Sequence, residues 1–193
     1  MLLIKKSRPH HIFAAGQITL GICLLLCLIL VPRYFFSLNQ GGISNYGTEP
    51  QTKWLYAAGF SGATIGTMLA AIVLPKATKR RLQLRFILLI LSALYLVVMV
   101  STFSYKLSPS FQQFHELSAL VLFISMLLTS LWLRFIAVKN SYINRLFIFL
   151  CICMALGVLN YLEVLHILFV IEVVTGVIFA LQLTHWLQTS AAR

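Results

Sequence analysis

Six apolar stretches, each near or above the ~17–25 residues that carry a helix across a bilayer, occupy most of this 193-residue chain. They read as helices over 12–36, 53–74, 84–105, 112–138, 143–160 and 162–187, the fifth being the shortest. Charged residues make up 10% of the sequence and hydrophobic ones 60%, where a soluble domain carries roughly 25% charged residues. A helix satisfies its own backbone where there is no water, so such a chain folds as an all-α bundle. The expected architecture is a polytopic membrane protein: one six-transmembrane-helix domain over residues 1–193. The basic N-terminus resembles a signal peptide, but the run Ile12 to Val31 exceeds the ~7–15 residues of a signal h-region and no small-residue cleavage site follows. It is read as a retained first helix.

The net charge of +11 would suit nucleic acid if it lay along one soluble face. Instead the basic residues gather at alternate helix ends. Lys5, Lys6, Arg8, Lys76, Lys79, Arg80, Arg81, Arg85, Arg134, Lys139, Arg145 and Arg193 fall on one side; only Arg33, Lys53 and Lys106 fall on the other. The positive-inside rule then puts both termini in the cytoplasm and leaves no role for nucleic acid. Cys23, Cys27, Cys151 and Cys153 sit inside apolar stretches and read as packed thiols rather than disulfides or metal ligands. His10, His11, His185 and Trp186 lie near the cytoplasmic boundary and read as interfacial anchors. In the second helix Ala58, Gly62, Gly66 and Ala70 recur every four residues, the spacing of a close-packed helix seam.

All four carboxylates, Glu49, Glu116, Glu163 and Glu172, fall on the external side. A carboxylate near the middle of an inserted helix costs ~2.5–3.5 kcal/mol, so this clustering calls for compensation. His115 and His166 lie among them. Glu163 and His166, three apart, would share a helical face, whereas Glu172 would lie about 13.5 Å deeper on nearly the opposite face. Glu116 and Glu163 suit the first turns of their helices; Glu172 needs a donor from elsewhere.

Glu-x-x-His occurs in di-iron bundles, but they need the motif twice plus two more glutamates. It occurs once here, and neither metal nor cofactor is expected. A nucleophile reading pairs Ser44 or another hydroxyl with His115 or His166, oriented by a glutamate; it has no nucleophile-elbow sequence behind it. A carrier would show broken helices at midplane, yet only Gly157 and Gly176 interrupt the last two helices.

The segment Ile43-Ser44-Asn45-Tyr46-Gly47-Thr48-Glu49-Pro50, leading to Trp54, resembles the Ile-Ser-x-x-Gly-Thr hallmark of the DRAM/Frag/Sfk six-transmembrane family, with bacterial proteins as distant relatives. Phe111-Gln112 followed by His115, then Ser118-Ala119 and Phe123, is similar to the family's fourth helix. His166 with Glu172 resembles its last. The chain departs in carrying Asn45 and Gln51 where the family commonly has acids, with Glu49 before the proline instead, and Glu163 has no clear counterpart.

The resemblance implies membrane-lipid distribution or remodelling, without an established catalytic mechanism. The function expected is binding of a lipid or amphipathic ligand in an outer-half pocket covered by the first external loop. The candidate residues are Ser44, Asn45, Glu49, His115, Glu116, His166 and Glu172. An enzyme acting on lipid head groups is the alternative, and a small carrier or channel the third. Membrane lipids are the expected partners, with a second copy or another membrane protein left open. The membrane is a bacterial inner membrane or a eukaryotic endomembrane or plasma membrane.

Overall fold

Punctuation by proline and by short polar caps sets where each apolar run becomes helix. A computed structural model describes residues 8–36, 42–75, 78–136, 140–162, 164 and 167–191. Six helices in it are long and apolar enough to cross a membrane. α1 (Pro9–Leu30) opens on a proline, whose missing N–H costs nothing in a first turn. It ends one residue before Val31, not at 36, because Pro32 cannot continue the ladder, and Val31 leaves the helical region at φ −136°, ψ 71°. A separate short helix, α2 (Arg33–Phe36), follows.

A 3-10 turn over Gly42–Ser44 leads into the four-residue α3 (Asn45–Thr48). α4 (Lys53–Val73) then crosses back. α5 (Lys79–Thr102) starts five residues before the expected 84, since the Thr78 hydroxyl accepts the Arg81 N–H at 3.3 Å. α6 is Pro109–Ile136 and α7 is Ser141–Tyr161, the latter capped by Asn140, whose Oδ1 accepts the Tyr142 N–H at 3.0 Å. α8 (Leu168–Ala191) begins six residues later than the expected 162. Glu163 and His166, on which the shared helical face rested, lie outside the described residues.

The long helices close into a ring in which α1 packs on α4, α4 on α5, α5 on α6, and α8 back on α1, with α7 against α6 and α8. The α1–α4 seam is the tightest. Gly62 and Gly66 lie against Gly16 and Thr19, so the small-residue stripe of the second helix does bring two backbones together. Gln17 Nε2 donates to Thr67 Oγ1 across it at 3.5 Å.

Large apolar side chains such as Ile18, Ile29, Phe86, Ile124 and Phe149 are exposed on the flanks, as a lipid-facing surface requires. At the end carrying the basic residues, Asn140 bonds His185 at 2.9 Å, and Trp132 lies 6.2 Å from Trp186. The opposite end carries α2, α3 and the turn between them, and is called the loop end below.

Candidate ligand site beneath the first loop

Residues 42–48 are held against the bundle by aromatic burial as well as by hydrogen bonds. Tyr46 is wholly buried, its ring edge-on to Tyr34 at 5.5 Å and to Phe169 at 5.9 Å. The Thr52 hydroxyl donates to the Tyr46 carbonyl at 2.8 Å, and the Thr48 hydroxyl to the Asn45 carbonyl at 3.0 Å. Burial also pushes the Tyr105 phenol up to about 12, so it stays protonated and donates to Asn45 Oδ1 at 2.8 Å. Gly47 has no unusual backbone conformation, contrary to what its place in a polar loop suggests; the positive-φ glycine among the described residues is Gly42, at 51°. Gly47 is needed for room instead, since a Cβ there would run into Thr102 and Tyr56.

Two consecutive loop residues make the contacts on which the site turns. The Ile43 N–H donates to Glu172 Oε2 at 2.7 Å. Ser44 Oγ lies 2.8 Å from His115 Nε2. Glu172 sits in the first turns of α8 rather than ten residues deep, because α8 starts late. It is half-buried, and its outstanding donor proves to be a main-chain amide. His115 and Glu172 thus converge on two consecutive loop residues, Glu172 through the Ile43 main chain and His115 through the Ser44 side chain.

The other ring nitrogen, Nδ1, lies 2.9 Å from Ser101 Oγ and 3.4 Å from Thr102 Oγ1. Both hydroxyls donate to the Val98 carbonyl, at 3.0 and 2.7 Å. The hydrogen closing the Nδ1 contact must therefore come from the ring, which leaves Nε2 to accept from the Ser44 hydroxyl. The Tyr56 hydroxyl extends the chain to Thr102 at 2.9 Å, and the Tyr105 ring stacks on the imidazole at 5.0 Å between centroids.

Behind Ser44 and Glu172 lies a cavity of about 120 Å³ within the helix ring. Ser44 and Glu172 line its loop end and Gln17 is a further polar residue deeper in, while the rest of its wall is mostly apolar, from Leu24, Phe60, Phe123 and Met126 among others. A second, more open depression of about 420 Å³ lies on the loop-end surface, where Lys53 and Lys106 meet Trp54 and Phe103.

Two candidates fall elsewhere. Glu49 Oε2 accepts from the Tyr34 hydroxyl at 2.7 Å and from Arg33 at 2.6 Å, which together hold its carboxyl below the usual range. Glu116 is exposed on α6 and accepts from Gln112 Nε2 at 2.9 Å.

Sequence reasoning missed Ser101, Thr102, Tyr56 and Tyr105. It also missed Gln182, wholly buried in α8 with neither amide atom partnered among the described residues. Comparison with protein-family models, curated proteins and solved structures finds no match for the chain.

Proposed function

We propose that this integral membrane protein binds a membrane lipid, or a similarly amphipathic molecule, in the cavity beneath its first loop, and so serves lipid distribution or remodelling. The observation that carries the reading is the lining of that cavity: Ser44 and Glu172 at its loop end, and beyond them a mostly apolar wall of Phe60, Leu122, Phe123, Met126 and Val177, with Gln17 the further polar residue. An acyl chain ending in an ester or head group has the same division. At about 120 Å³ the space is below the ~300–1,000 Å³ that encloses a drug-sized ligand, so the expected occupant is a segment of chain rather than a whole lipid. The loop-hallmark resemblance to the DRAM/Frag/Sfk family points to the same biology. With the basic ends in the cytoplasm, the loop end faces outward and draws on the outer leaflet.

Gly176 provides the test. It lines the cavity, and a Cβ added there meets nothing within 4 Å, so Gly176→Leu should fill the space without disturbing the helix contacts. Displacing about two methylenes at ~0.8 kcal/mol each should weaken lipid retention about tenfold. The readout is crosslinking of a phospholipid with a diazirine in its acyl chain to the protein in nanodiscs, mapped by mass spectrometry. Adducts on Phe123, Met126 or Val177 that fade in Gly176→Leu support the reading; adducts confined to the lipid-facing flanks, indifferent to the substitution, defeat it.

Orientation is tested separately. Gln51 and Arg80 are exposed at opposite ends, so single cysteines there, with the four native cysteines replaced, should react with an impermeant maleimide from opposite sides of sealed vesicles. Labelling of both from one side would overturn the proposed topology.

A further inference from the structure

The Ser44–His115 contact has the geometry of an activated hydroxyl. We infer that Ser44 is a nucleophile for acyl transfer from a membrane-lipid ester, with His115 as its general base and Ser101 positioning the imidazole. This rests on the lipid-binding reading above, since the cavity must admit the acyl chain.

Three features of the structure support it. The nucleophile-to-base distance is 2.8 Å, inside the range at which a base takes a hydroxyl proton. The ring is held in one tautomer and one plane: Nδ1 by Ser101 at 2.9 Å, and the face by Tyr105, stacked within 28°. The free lone pair of Nε2 is thereby aimed at Ser44 Oγ. Ser44 also lines the loop end of the largely apolar cavity. An acyl chain lying there would bring its ester carbonyl, which marks the boundary between chain and head group, to the hydroxyl. With Ser44 and His115 only 6% and 5% exposed, little bulk water competes for that proton.

The reaction balances with water as the second substrate. Ser44 Oγ bonds to the ester carbonyl carbon while its proton passes to His115 Nε2. The carbon–oxygen bond to the lipid alcohol breaks, and the alcohol leaves with that proton, so that the acyl group stays on Ser44. Water then gives a proton to Nε2 and its oxygen to the acyl carbon. The Ser44 ester bond breaks, and the fatty acid departs as the proton returns to Oγ.

The probe is an alkyl fluorophosphonate of ten to sixteen carbons, applied to the full chain in nanodiscs and mapped by mass spectrometry. Wild type should carry the adduct on Ser44, with fluoride released, and more rapidly for long chains than for short ones. His115→Gln, which keeps a hydrogen-bonding side chain but no base, should slow labelling by about 10²-fold or more and flatten its pH dependence. Ser101→Ala should move the inflection of the pH profile. Ser118→Ala, whose hydroxyl bonds back to the Phe114 carbonyl, should leave it in place.

Mapping the adduct in wild type requires no variant, so a Ser44→Ala protein that fails to fold does not obstruct the test. If the lipid crosslinks in the cavity but Ser44 takes no adduct, the catalytic inference is wrong and the binding reading stands. If neither occurs, both are wrong. Labelling of Ser44 that is indifferent to His115→Gln would also overturn the inference.

Discussion

Gly42→Ala is expected to release the first loop from the bundle. Gly42 sits at φ 51°, where an L side chain costs ~1–2 kcal/mol. The added Cβ would also collide with the Glu172 carboxylate, lying 2.6 Å from Cδ and 2.9 Å from Oε1. Glu172 could swing away, but only by abandoning the Ile43 N–H, and an amide left without its partner costs another ~1–3 kcal/mol. The two effects together reach about 2–5 kcal/mol at the loop.

Faster hydrogen exchange at the Ile43 amide, with the helices unchanged, is the measurement. The paired substitution is informative because the two residues collide. Gly42→Ala with Glu172→Ala should cost less than the sum of the single changes. Glu172→Gln, which keeps an acceptor oxygen for Ile43, should protect the loop better than Glu172→Leu. Strict additivity, or an Ile43 amide unmoved by Gly42→Ala, would mean that the clamp between these residues does not hold the loop.

Gly66→Val should open the α1–α4 seam. A Cβ at Gly66 would lie 2.8 Å from Gly16 Cα, 3.0 Å from the Ile12 carbonyl oxygen and 3.1 Å from Gly16 N. All three are backbone atoms, so no rotamer change makes room. Overpacking in a well-packed interior costs ~1–3 kcal/mol and sometimes more; a clash with rigid backbone belongs at the upper end, about 3 kcal/mol or above. Thermal unfolding in detergent should show a clear drop for Gly66→Val. Gly21→Ala on the partner helix should show almost none, because a Cβ there meets nothing within 4 Å. Equal midpoints for the two variants would remove the seam from its place in holding the bundle.

The sequence was legible where one residue's own chemistry decides the outcome. Long apolar runs marked the six spans, and the four-residue stripe from Ala58 to Ala70 marked the close helix contact, because Gly62 and Gly66 are small whatever they face. His115 and Glu172 stood out as polar groups that an apolar chain must compensate, and Ser44 through the loop motif and the nucleophile reading. Boundaries were less legible. Pro32 was present to stop α1, but the apolar residues after it masked the break, and the late start of α8 placed Glu172 near the loop end instead of deep in the helix.

Beyond the pairing of Ser44 with His115, one of the options the nucleophile reading offered, the partners of the site were not legible. Ser101 and Thr102 look like any hydroxyl residues in a membrane helix, which ordinarily bond back to their own turn. They do so here, at Val98, while also serving His115. The partner of Glu172 is a backbone N–H, which every residue but proline carries and which no sequence pattern marks. Apolar length and the scarcity of charge determined that this chain forms six membrane-spanning helices, because transfer out of water depends on each residue's own surface. Only the tertiary structure decided which polar groups meet at Ile43 and Ser44, because a hydrogen bond depends on distance and direction between groups that lie 71 and 129 residues apart in the chain.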